Sequence, residues 1–196
     1  MVSKILKSRA GFASIVLYAT KASKNHQVLL SNGVCDYNID TTIKDFYRQA
    51  ALNKNIKKNA FHMVLSHHPE DSNKIIKREA DILNTYLAKL KKKGIDFEQT
   101  QYIIYRHNDR EHIHYHLLAN YVTNEGKRLG DGNIGIKAKI ISKEVTKEYN
   151  LTPAIKKGQE RGQFQDINKE INLYGNEDKR KMERDEPDQS GFGYRR

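Results

Sequence analysis

No stretch of the chain approaches the ~20 consecutive apolar residues that a spanning helix requires, which excludes a transmembrane protein from the expected classes. There is one cysteine, Cys35, so no internal disulfide can form. The start Met1-Val2-Ser3-Lys4 lacks the apolar core of a secretory signal, and the expected compartment is a reducing cytoplasm. Acidic residues are in short supply: 24 Asp and Glu face 35 Lys and Arg, for a net charge of +11. That balance favours a polyanionic partner, with nucleic acid the best match. Hydrophobic residues still make up 37% of the 196, enough to bury a core in one domain.

The positive charge is unevenly placed. Residues 155–196 carry ten basic and nine acidic side chains, so nearly all of the excess belongs to residues 1–154. The stretch Asp178-Lys179-Arg180-Lys181-Met182-Glu183-Arg184-Asp185-Glu186-Pro187-Asp188 is poor in core formers and reads as weakly ordered. The expected organisation is therefore a functional domain over 1–154 and a polar, partly helical or weakly ordered segment over 155–196. Ile155, Phe164, Ile167, Ile171 and Leu173 would let part of that segment pack as a helix.

Along the body, helical and strand periodicities alternate. Phe12, Ile15, Val16 and Ala19 predict a helix from about Phe12 to Lys21, with Tyr18 about 120° away from Phe12 and hence off the buried stripe. Thr41 or Thr42 is expected to cap a second helix carrying Ile43, Phe46, Ala50 and Ala51. Ala60 to Ser66 alternates as a half-buried strand does. Pro69-Glu70-Asp71 opens a long helix with the stripe Ile75, Ile76, Ala80, Leu83, Leu87 and Leu90, stopped at Gly94. Strands over 101–106 and 112–122 read as a hairpin, and a Gly-rich loop over 124–133 leads to a helix with Ile136, Ile140, Ile141 and Val145. The expected class is α+β, a central antiparallel sheet flanked by helices.

Four of the eight histidines fall within His107-Asn108-Asp109-Arg110-Glu111-His112-Ile113-His114-Tyr115-His116. On a strand, His112, His114 and His116 would share one face, opposite Ile113, Tyr115 and Leu117. A His-x-His pair stands ~6.6 Å apart at Cα, close enough for two imidazoles to meet on one metal, whereas His112 and His116 at ~13 Å are too far apart. The third ligand should come from a neighbouring segment, and His107 across the hairpin can supply it. Asp109 can orient a ligand imidazole, or serve only as a turn residue bonding its own backbone. The donor set suits Zn, Ni, Cu or Mn better than Mg.

Three motifs together resemble a known family. His107, Asp109, His114 and His116, followed by Asn120, are similar to the metal motif of the HUH relaxases, above all the MobA/MobL-type mobilisation proteins. Gly11-Phe12-Ala13-Ser14-Ile15-Val16-Leu17-Tyr18-Ala19-Thr20 resembles the family's tyrosine helix, and Val64-Leu65-Ser66-His67-His68-Pro69-Glu70-Asp71 its second motif. The resemblance implies an HUH-like fold with Tyr18 as nucleophile, Ser66 holding DNA near the scissile phosphate, and Mg or Mn as the preferred divalent ion. It implies nicking at an origin of transfer through a 5′-phosphotyrosyl intermediate, for plasmid or conjugative-element mobilisation. Its expected partners are single-stranded or hairpin DNA and accessory mobilisation proteins. Tyr37 and Tyr47 are fallback nucleophiles. Removal of the tyrosine proton is open to the metal, Asp109, His62 or His112.

Phosphate contacts are expected from Lys54, Lys57, Lys58, Lys91 and Lys92, and from Lys127 and Arg128 in the Gly-rich loop. Each of these runs would equally serve as a solvated surface. Two other classes compete with the relaxase. One is a metal-dependent nuclease in which water attacks, or a rolling-circle replication initiator, which generally places its metal motif before its tyrosine. The other is a non-catalytic basic DNA-binding module.

Overall fold

The computed structural model describes residues 1–6 and 11–153, so the segment 155–196 lies outside the described residues. Five strands, β1 (Val2–Ile5), β2 (Gln27–Asn32), β3 (Ala60–Ser66), β4 (Thr100–His107) and β5 (His114–Thr123), form one antiparallel sheet in the order β1-β3-β5-β4-β2. One face packs on α1 (Phe12–Thr20) and α2 (Ile39–Ala50) through Phe12, Ile15, Phe46, Val64, Ile103 and Leu118. The other meets α3 (Ser72–Ile76), α4 (Glu79–Lys92) and α5 (Ile134–Glu148) through Ile75, Ile82, Tyr86, Met63, Leu117 and Ile141. The result is α+β, as the sequence periodicities predict.

Covering both faces changes several local expectations. β3 is buried along almost its whole length rather than on one side, because α1 and α2 cover the face that alternation would leave to solvent. Tyr18 is likewise 1% exposed, not a rim residue. The Phe12 stripe packs on α2, where the Phe12 and Phe46 rings stack at 4.8 Å, while the flank carrying Tyr18 lies against histidines of the sheet.

Helix boundaries differ too. Asn38, not Thr41 or Thr42, caps α2: its Oδ1 accepts from the Thr41 N–H at 2.9 Å, and Thr42 sits inside the helix with its hydroxyl donating to the Asn38 carbonyl. The single long helix expected after Pro69 is broken into a 3-10 turn, α3 and α4. The new start at Arg78 lets Glu79 meet Arg106 at 2.8 Å and the Tyr115 hydroxyl at 3.1 Å. Tyr86 and Ile82 then join Leu83 and Leu90 in the core, whereas Ile76 and Ala80 face solvent. On α5 the buried stripe is Ile134, Ala138, Ile141 and Val145, leaving Ile136 and Ile140 outside, because the helix docks on β1 and α4. The body continues through Thr152, whose N–H and hydroxyl both donate to the buried Asp71 carboxylate.

Candidate active site

The β4–β5 register sets His107 directly opposite His114, and Tyr105 opposite His116. Directly opposed residues share a sheet face, and His116 is two residues on from His114, so all three imidazoles point toward α1. They are buried, with ring centres 4.1 Å apart for His107 and His116, 5.2 Å for His107 and His114, and 5.4 Å for His114 and His116. One nitrogen from each lies within 4.8 Å of the other two. His112 does not start the strand: β5 begins at His114, and His112 is half-buried in the connection, its carbonyl 3.3 Å from His114 Nδ1.

Hydrogen bonds fix which nitrogen each ring has to offer. His107 Nε2 donates to the Ala19 carbonyl at 2.8 Å, which leaves Nδ1, a buried atom with no hydrogen-bond partner. His114 Nδ1 gives its proton to the His112 carbonyl, which leaves Nε2 facing Asp109 Oδ1 at 3.4 Å. His116 Nδ1 lies 2.7 Å from His62 Nε2, which leaves Nε2, again buried and unpartnered. Burial lowers the pKa of His107 to about 4 and of His114 to about 3, and holds His116 well below its ordinary value. Burial thus outweighs the attraction of the nearby Asp109 carboxylate. Three neutral rings, with one nitrogen of each within 4.8 Å of the other two, fit a divalent metal ion, and each ring has an outer partner as ligand histidines do.

Asp109 occupies the connection between β4 and β5. Burial is the largest influence and acts against its carboxylate, but the Lys24 ammonium at 3.0 Å, together with the neighbouring His114 and His107, holds the group below the usual carboxylate range. Lys24 is itself buried, with Nζ 4.9 Å from the centre of the Tyr18 ring. The Tyr18 ring lies 5.6 Å from His116, 6.2 Å from His107 and 6.4 Å from His62. Ser66 ends β3 opposite His114 and is 6% exposed. Tyr47 packs edge-on against Phe12, and Tyr37 is 91% exposed.

The cations expected to contact DNA lie elsewhere. Lys54, Lys57 and Lys58 are exposed in the loop before Ala60, and Lys127 and Arg128 follow Thr123. Both segments sit at the end of the sheet remote from His107 and His114. Lys91 and Lys92 end α4 on the face opposite the triad, and Lys91 is paired with Asp96 and Glu98. Lys127 pairs with Glu125, and Arg128 with Asp131. Sequence reasoning passes over Lys24, which sits in a 3-10 turn after α1 and outside every motif. It also misses the Ala19 carbonyl, which a side-chain pattern cannot reveal.

A three-histidine cluster on a central antiparallel sheet, roofed by a helix that carries a tyrosine, defines an HUH-type nicking domain. The chain belongs to the relaxase family: the family model described as "Relaxase: MobA/VirD2-like, nuclease domain" matches residues 18–151, which include Tyr18 and all three histidines of the triad. It is therefore a DNA-nicking enzyme of the metal-dependent kind, whose triad can hold the ion. No curated protein and no solved structure matches the chain significantly. Among the described residues, no helix is long and apolar enough to cross a membrane.

Proposed function

We propose that the chain nicks one DNA strand at an origin of transfer by tyrosine transesterification and later rejoins it, in mobilisation of a plasmid or conjugative element. The observation that carries this reading is the Tyr18 ring packed within 5.6–6.4 Å of His116, His107 and His62, beside the buried Lys24. His107, His114 and His116 are the proposed ligands, through Nδ1, Nε2 and Nε2. A bound divalent ion, Mg or Mn preferred with Zn and Ni also suited to the donors, supplies positive charge to the non-bridging oxygens of the scissile phosphate.

Tyr18 Oη attacks phosphorus, the bond to the 3′ oxygen breaks, and that oxygen leaves with a proton as a 3′-hydroxyl. The phosphate stays on Tyr18 as a 5′-phosphotyrosyl ester. One ester replaces another, so the same residues support rejoining. Lys24 places positive charge beside the ring as the phenol loses its proton, and Asp109 holds that ammonium in place. Ser66, at the β3 end next to His114, is the proposed hydrogen-bonding anchor for DNA near the cut.

The strand would run over the protein surface from the triad end of the sheet toward the Lys54, Lys57 and Lys58 loop at its other end, about 20–30 Å away at ~3.3 Å per residue of β5. The expected partners are single-stranded or hairpin DNA and accessory mobilisation proteins, and the expected compartment is the cytoplasm. A single-stranded oligonucleotide bearing the nick site, incubated with protein and Mn, tests the reading. A denaturation-resistant protein–DNA band supports it. Cleavage without an adduct would assign attack to water, and neither product would leave a DNA-binding module.

A further inference from the structure

The three imidazoles of the triad are not anchored alike. His107 and His114 give their outer protons to backbone carbonyls, groups that can only accept. His116 instead meets a fourth imidazole, His62, at 2.7 Å. His62 projects from β3, the strand beside β5, two residues before Val64, which pairs with His116. It is 2% exposed and shares the triad's face. An imidazole pair at this distance holds one proton between its nitrogens. That proton sits on either His116 Nδ1 or His62 Nε2, and the choice decides what His116 can do.

We propose that His62 is the positioning residue for His116: its Nε2 accepts the His116 Nδ1 proton, fixing the tautomer in which the buried His116 Nε2 presents a lone pair to the metal. The proposal rests on the ligand assignment made above. Proton bookkeeping has a second consequence. Neutral His62 must then carry its own proton on Nδ1, an interior atom with no hydrogen-bond partner. Both of its nitrogens are committed, so His62 is not the acceptor of the Tyr18 proton. A neutral anchor also adds no negative charge to the ligand set, which leaves the positive charge of the ion available to the phosphate, as a carboxylate anchor would not.

Two measurements test this on the full chain. In the metal-free protein, long-range nitrogen–proton NMR of the imidazoles should place the His116 proton on Nδ1 and the His62 proton on Nδ1. A His116 proton on Nε2 overturns the proposal, and this readout needs no variant to fold. Mn affinity by calorimetry should fall 10–100-fold in His62→Phe, which keeps a ring but offers no acceptor. His62→Gln, whose side-chain carbonyl can accept, should recover most of that loss. Wild-type affinity in His62→Phe, or equal loss in both variants, contradicts the role of His62. If His116→Ala also binds Mn as wild type does, the ligand assignment itself fails, and the two failures are told apart.

Discussion

His107 Nε2 donates to the carbonyl of Ala19 at 2.8 Å, so a ring of the triad is fastened to the residue that follows Tyr18. The histidine cluster and α1 are thereby one mechanical unit, with the Phe12–Phe46 stack clipping the helix to α2. A ligand that orders the rings should order the helix as well. Adding Mn should slow amide exchange over residues 12–20 in the wild type and leave it unchanged in His114→Ala. Unaltered exchange in the wild type at saturating metal would uncouple the helix from the site.

Replacing His107, His114 or His116 with Ala should each weaken divalent-metal binding at least tenfold by calorimetry. His112→Ala should not, because that residue contributes its backbone carbonyl to His114, and alanine keeps it. Loss of binding in His112→Ala with full retention in His107→Ala would reverse the assignment.

The hairpin site was legible in the sequence because strand alternation is geometrically strict: His-x-His must share a face, and a short connection returns the chain with His107 opposite His114. Strand β3 and the helix at Phe12 were legible for the same periodic reason. What was not legible depends on which surface an element docks against. α5 has two candidate apolar stripes and buries only one, and α4 starts where Glu79 meets Arg106 and Tyr115 rather than at Pro69. Tyr18 looked peripheral because the stripe calculation assumes one buried side, and α1 is covered on nearly all sides. Asn120, part of the sequence motif, ties α2 to β5 by donating to the Phe46 carbonyl at 2.9 Å, a contact made across 74 residues.

Acid should destabilise the metal-free protein in a window set by its buried histidines. His62, His67 and His114 are lowered to about 3 and His107 to about 4, all chiefly by burial, against an ordinary value of 6.5. The unfolded chain therefore takes up protons first as pH falls below 6.5, and folding loses about 1.4 kcal/mol per proton per pH unit. The stability is fully present above pH 6.5 and is lost progressively toward the folded values. In EDTA, the thermal midpoint should fall steadily between pH 6.5 and 4.5, before most carboxylates titrate. A flat profile over that range would contradict neutral burial of these rings.

Salt should report the path of the strand. Each phosphate contact adds roughly −0.7 to the slope of log affinity against log salt for single-stranded DNA. Replacing Lys54, Lys57 and Lys58 together should make the slope shallower by up to about 2. Lys91→Ala should change it less, since Asp96 and Glu98 already engage that ammonium. An unchanged slope in the triple variant would move the DNA off this loop.

The most direct measurement is the mass of the covalent product. Digestion of the adduct formed with a single-stranded substrate should place the nucleotide on the peptide containing Tyr18 and on no other. Tyr18→Phe keeps the ring that packs on His116 and His107 but removes the oxygen that becomes the ester, so it should bind DNA with near wild-type affinity and give neither nick nor adduct. An adduct on Tyr37 or Tyr47, or nicking by Tyr18→Phe at the wild-type rate, would contradict the account.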